Sequence, residues 1–174
     1  GFDSSVVVVQ PIEKGMIEAL NRQDCLYHVN LQGLEDGEVV NSYRLIDVIS
    51  RAISPYANFG VFLQLAEQPE MRFVISNTTE AGIAFDPSCR LDDKPASSYP
   101  GKLVQLLYHR YQTFHGDRSK GLIIFPCELI FLNGHKLKEV IRQYIDLWQL
   151  GDDFRSWFEE ACGVYATLVD RIVP

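Results

Sequence analysis

Residues 71–83 constrain this chain more than any other stretch. An apolar, β-prone run at Phe73, Val74 and Ile75 gives way to short hydroxyl and amide side chains, Ser76, Asn77, Thr78 and Thr79, then Glu80 and Gly82. That is the profile of a parallel strand whose carboxyl end opens onto a ligand crevice, the place where open α/β sheets hold substrates and cofactors. Ser, Asn and Thr are also ordinary turn residues, so a strand followed by a plain loop has the same sequence.

Two further runs repeat the strand signal. Val6–Val9 is unbroken and β-branched, stopped by Pro11, and Leu122, Ile123, Ile124 and Phe125 precede Pro126, Cys127 and Glu128. Runs of this kind read as strands buried in a parallel sheet. Between them lie segments of helical or hairpin character. Residues 12–22 give a short helix weakened by Gly15, and residues 25–34 and 39–49 flank an Asp36–Gly37 turn as an antiparallel hairpin. Residues 56–67 place Phe59, Phe62, Leu63 and Ala66 on one helical face. Residues 85–96 lack periodicity, and Pro100 opens a helix that Ser97 or Ser98 caps and Gly116 ends. Helices are also expected over 137–147 and 154–162, the latter capped by Asp152 or Asp153, and the β-prone run at 166–174 reads as continuing beyond Pro174. Strand and helix in alternation give right-handed crossovers and a doubly wound, Rossmann-like α/β fold, mostly parallel, with an inserted antiparallel hairpin. No Gly-x-Gly-x-x-Gly occurs, so the first strand and its glycine-rich turn are expected to be lacking, and the chain to begin at the second strand.

Composition excludes several partners. At 174 residues, 47% hydrophobic and 22% charged, the chain has the make-up of one soluble globular domain. A net charge of −7, with 16 scattered basic residues, leaves no stripe for a nucleic-acid backbone. No apolar run is long enough for a membrane span and no signal peptide is recognisable. Cys25, Cys89, Cys127 and Cys162 are too widely spaced for a metal site and read as reduced thiols of a cytoplasmic protein.

Residues 6–13, 71–83, 98–103, 124–134 and 167–173 together, in this order, closely resemble the long-chain mannitol dehydrogenase family, in its tagaturonate-reducing branch. The resemblance implies hydride transfer between a nicotinamide cofactor, NAD, and a small sugar acid, D-tagaturonate becoming D-altronate in hexuronate catabolism. Fructuronate reductase and mannitol 2-dehydrogenase of the same family are the near alternatives, and a non-catalytic nucleotide or sugar-acid module is the distant one. It further implies that Asn77, Thr78, Thr79, Glu80 and Gly82 lie beside the cofactor ribose and nicotinamide. Gln10 takes the place of the acidic residue that reads the adenosine ribose, and Asp170 sits at the mouth of the substrate cleft. Pro126-Cys127-Glu128-Leu129 departs from the Ser-Cys-Asp-Asn of the mannitol branch, and Leu129 has no side-chain donor to replace that asparagine. The family's general acid/base lysine, in a Lys-x-x-x-x-Asn-x-x-His pattern, has no match here. This chain is therefore expected to be a partial cofactor domain without catalytic residues, whose partner is a C-terminal helical domain of the parent chain. His109 and His115 read as surface or interface residues.

Overall fold

The computed structural model describes residues 5–79 and 81–168. The chain divides into two compact units, residues 1–58 and 59–174.

In the first unit β1 (Val6–Val9) is followed by α1 (Ile17–Arg22), the antiparallel pair β2 (Tyr27–Glu35) and β3 (Glu38–Ile46), and β4 (Ile49–Ile53). β1 and β4 run parallel, with Val7 opposite Arg51 and Val9 opposite Ile53. The hairpin is thus inserted in the crossover between two parallel strands. Its turn has Asp36 and Gly37 both at positive φ, 52° and 85°, the left-handed pair that a two-residue hairpin loop requires. One expectation changes here. Residues 39–49 are not one hairpin arm, because the antiparallel strand stops at Ile46 and Ile49 begins a strand paired with β1. That strand escapes notice because Ser50 and Arg51 are exposed and only Ala52 and Ile53 enter the core. The Asn21 side chain fixes it from α1, donating to Ala52 O at 3.0 Å and accepting from Ala52 N at 3.3 Å.

The second unit runs α2 (Phe59–Leu63), β5 (Phe73–Ser76), α3 (Tyr99–Thr113), a 3-10 turn (Arg118–Lys120), β6 (Ile123–Pro126), α4 (Asn133–Leu147), α5 (Asp152–Ala161) and β7 (Gly163–Val164). β5, β6 and β7 form one parallel sheet with β6 at its centre. The core is assembled from Leu103, Val104 and Leu107 of α3, Leu137, Ile141 and Tyr144 of α4, Phe154 and Phe158 of α5, and Ile124 of β6, all nearly or fully buried. The fold is Rossmann-like α/β, as the alternation of runs implies. β1 and β5 differ from the expectation of full burial, since Val6 is 47% and Ile75 71% exposed. Among the described residues each pairs on one edge only, β1 with β4 and β5 with β6.

Helix ends follow the expected chemistry in part. Ser98 caps α3 by accepting from Gly101 N at 3.0 Å, with Pro100 in the first turn. The helix closes where His115 and Gly116 turn left-handed and Gly116 N donates to Tyr111 O at 2.9 Å. α5 is instead preceded by Gly151 at φ 87°, and Asp152 and Asp153 both fall inside the first turn, where they complement the helix dipole without capping. α1 and α2 are shorter than the sequence suggests, and α4 starts earlier, at Asn133. β7, two residues long, has no sequence signature.

Arg110, at the buried face of α3 and 1% exposed, ties the connections into β5 and β6 to this helix. Its guanidinium donates to the carbonyls of Ala66 and Gln68 at 2.9 Å, of Met71 at 3.0 Å and of Lys120. Arg110→Lys, whose single ammonium cannot fork to these carbonyls, is expected to cost about 3 kcal/mol and to lower Tm by roughly 10 °C in thermal unfolding. Between α4 and α5, Glu159 accepts from Arg142 Nε at 2.7 Å and from Lys138 Nζ at 2.9 Å. The Arg142 hydrogen bond first, and Lys138 with it, bring the Glu159 carboxyl from 4.5 down to about 2. A depressed carboxyl stabilises the fold above its unfolded pKa and loses that contribution as pH falls. Glu159→Gln is expected to cost about 1 kcal/mol at neutral pH. In urea unfolding that difference closes between pH 4.5 and about 2.

Candidate functional site

The carboxyl ends of β5 and β6 meet at one edge of the parallel sheet. Phe73 pairs with Ile123 and Ser76 with Pro126, so the residues that follow the two strands continue level with one another. Extended by two positions, that register sets Thr78 beside Glu128. The contact is made: Glu128, 2% exposed, accepts from Thr78 N at 3.1 Å and Thr78 Oγ1 at 2.9 Å through one carboxylate oxygen, and from Ser76 Oγ at 3.1 Å through the other. With Ser76 and Thr78 turned toward the carboxylate, Asn77 and Thr79 are exposed.

Asn133 extends the network to the segment that follows β7. Its amide nitrogen donates to Glu128 O at 3.1 Å and Thr167 O at 3.2 Å, and its amide oxygen accepts from Thr167 N at 3.0 Å. Thr167 in turn donates to Pro126 O at 2.6 Å. Gly134 permits this approach, since a Cβ there would lie 2.4 Å from Ala166 N. Three segments leaving the sheet at one edge are thereby stitched together by a few side chains.

Tyr99 sits at the start of α3 with its hydroxyl buried and without a hydrogen-bond partner. Burial pushes its phenol well above the ordinary range, and Ser76 opposes the shift. A second polar cluster secures the segment before α3. Asp86 accepts from Ser88 N at 2.9 Å, Ser88 Oγ at 2.6 Å and Ser97 Oγ at 2.9 Å, and these hydrogen bonds, Ser88's foremost, lower its carboxyl to about 2. Lys102, 3% exposed, donates to Ser97 O at 2.8 Å, and burial lowers its ammonium to about 8. The Tyr144 hydroxyl bonds Ser98 Oγ at 2.7 Å.

Of the residues singled out from sequence, Asn77, Thr78, Thr79 and Gly82 lie together in the second unit, after β5. Thr78 is turned toward Glu128, and Gly82 N donates to Thr79 O at 2.7 Å, folding the segment back on itself. Gln10 belongs to the first unit and follows β1. Its amide nitrogen donates to Ile12 O at 2.8 Å, and its amide oxygen would stand 1.9 Å from a Cβ on Gly15. Glu80 and Asp170 lie outside the described residues. His109 meets Glu67 at 2.9 Å and His115 is exposed, neither at the strand ends. Leu129 is 58% exposed. Glu128, Asn133 and Thr167 received no such role from the sequence, although the parallel pairing of two strands with polar successors was the signal that would have found Glu128.

Residues 1–174 match the model of the mannitol dehydrogenase Rossmann domain. The chain belongs to that family. Among its curated relatives, proteins named altronate oxidoreductase from Phocaeicola vulgatus and Bacteroides thetaiotaomicron are 81% and 78% identical to it over 173 residues, and that of Bacillus subtilis is 49% identical. Each alignment takes in 99% of this chain and 36% of the relative, so this Rossmann domain spans about a third of their length. Among solved structures, the Pseudomonas fluorescens mannitol 2-dehydrogenase ternary complex with NAD and D-mannitol aligns with TM-score 0.75 at 17% identity, over 93% of this chain and 34% of the other. A substrate-free D-sorbitol dehydrogenase aligns with TM-score 0.72 at 18% identity, over 92% and 35%. These two likenesses concern the fold. Among the described residues no helix is long and apolar enough to cross a membrane.

A Cβ on Gly82 would lie 1.9 Å from Thr78 Oγ1 and 2.9 Å from Thr79 O. Gly82→Ala is therefore expected to push the Thr78 hydroxyl off Glu128 and to cost about 2 kcal/mol in urea unfolding. Wild-type stability would mean that Gly82 does not pack against Thr78 in this way.

Proposed function

We propose that this Rossmann domain is the cofactor-binding part of an NAD-dependent oxidoreductase that reduces D-tagaturonate to D-altronate. The observation that carries the reading is 81% identity, over 99% of the chain, to a protein named altronate oxidoreductase. The strand-end geometry is compatible with it. Asn77 and Thr79 present exposed side chains where parallel α/β sheets receive ligands, backed by a segment that Glu128 holds in place. When bound, the nicotinamide supplies the hydride that goes to the substrate carbonyl carbon, while a proton goes to its oxygen.

The residues assigned to the cofactor are Gln10, Asn77, Thr78, Thr79, Glu80 and Gly82, with Asp170 assigned to the sugar acid. Gln10 reads ribose hydroxyls without repelling a phosphate, so discrimination between NAD and NADP is weaker than with an aspartate. The proton donor is a lysine of a further, helical domain in the parent protein. A relative of which this chain spans 36% has ample length for such a domain.

The full-length parent is expected to oxidise NADH when given D-tagaturonate, followed at the NADH absorbance, and the purified 174-residue chain to show no turnover. In the parent, Thr79→Val and Glu80→Gln should each weaken NADH binding about tenfold, while His109→Ala changes neither affinity nor turnover. An effect confined to the histidine variant would remove the assignment.

A further inference from the structure

We propose that Glu128 is a positioning residue for the cofactor, acting through the segment after β5 and not by touching the ligand. The inference rests on the cofactor reading of that segment and adds a residue from a different strand. Its basis is the direction in which the carboxylate spends its hydrogen bonds. Both oxygens accept from the post-β5 segment, at Ser76 Oγ, Thr78 N and Thr78 Oγ1. Extended backbone turns alternate side chains to opposite sides. Pulling Ser76 and Thr78 inward therefore delivers Asn77 and Thr79 outward, and both are exposed. Asn133 holds the other end of the clasp by donating to the Glu128 carbonyl. The outward pair is thus set from behind by a group buried to 2% exposure.

The test uses the full-length enzyme, with NADH affinity followed by fluorescence and steady-state kinetics on D-tagaturonate. Glu128→Ala is expected to raise the NADH Kd about tenfold, with the loss carried by KM for NADH and not by kcat. Glu128→Gln should recover most of that loss. Its amide oxygen still accepts from Thr78, and its amide nitrogen donates to a Ser76 hydroxyl free to rotate. Should the alanine variant fail to fold, Thr78→Ser and Thr78→Val read the same contact, and the valine variant is expected to bind NADH several-fold, roughly fivefold, more weakly than the serine one. Wild-type NADH affinity in Glu128→Ala, equal losses in the glutamine and alanine variants, or equal affinities in the two Thr78 variants would each overturn the clasp. A wild-type enzyme that turns over no NADH would instead overturn the cofactor reading on which it rests.

Discussion

The second unit depends on a single buried guanidinium. Arg110 gathers carbonyls from the turn that ends at Met71, just before β5, and from Lys120, just before β6. Carbonyls buried without partners are costly, and the connections into two neighbouring strands contain several. An arginine satisfies them because its fork of donors is planar and rigid. Once both connections are tied to α3, Ile123 N can donate to Arg72 O at 2.8 Å and the β5–β6 ladder starts in register. The other end of that ladder is the candidate site, so a helix that grips the connections into the two strands sets the geometry at their far ends.

The alternation of apolar runs with helical patterns made the fold legible, and the Asp36–Gly37 hairpin and the Ser98 cap could be read from local chemistry alone. What could not be read was decided by tertiary partners. Ile49–Ile53 carries exposed Ser50 and Arg51 and becomes a strand because β1 lies beside it. Gly163–Val164 is a strand only because Leu122 and Ile124 present backbone groups to it. Arg110 lies within the helix that Pro100 opens, and its role stayed hidden because nothing in a sequence announces which carbonyls a guanidinium will meet.

The site was half legible for a related reason. Residues 76–79 stand out because small polar groups follow an apolar strand abruptly, a local signal. Glu128 stands out only after β5 and β6 are aligned, a signal between segments 50 residues apart. Asn133 had no reading of its own in the sequence, and it opens α4 while bridging to Thr167.

The constant offset between β5 and β6 separates the parts of this chain that can change length from those that cannot. Helix α3 and the loops on either side of it lie between the two strands, and residues gained or lost in those loops, away from the carbonyls that Arg110 binds, leave the pairing of Phe73 with Ile123 in place. Within residues 73–78 or 123–128 a single insertion would turn Thr78 or Glu128 to the opposite face of the sheet. Two short windows and Arg110 therefore carry the alignment, and insertions in related chains should collect in the loops between them.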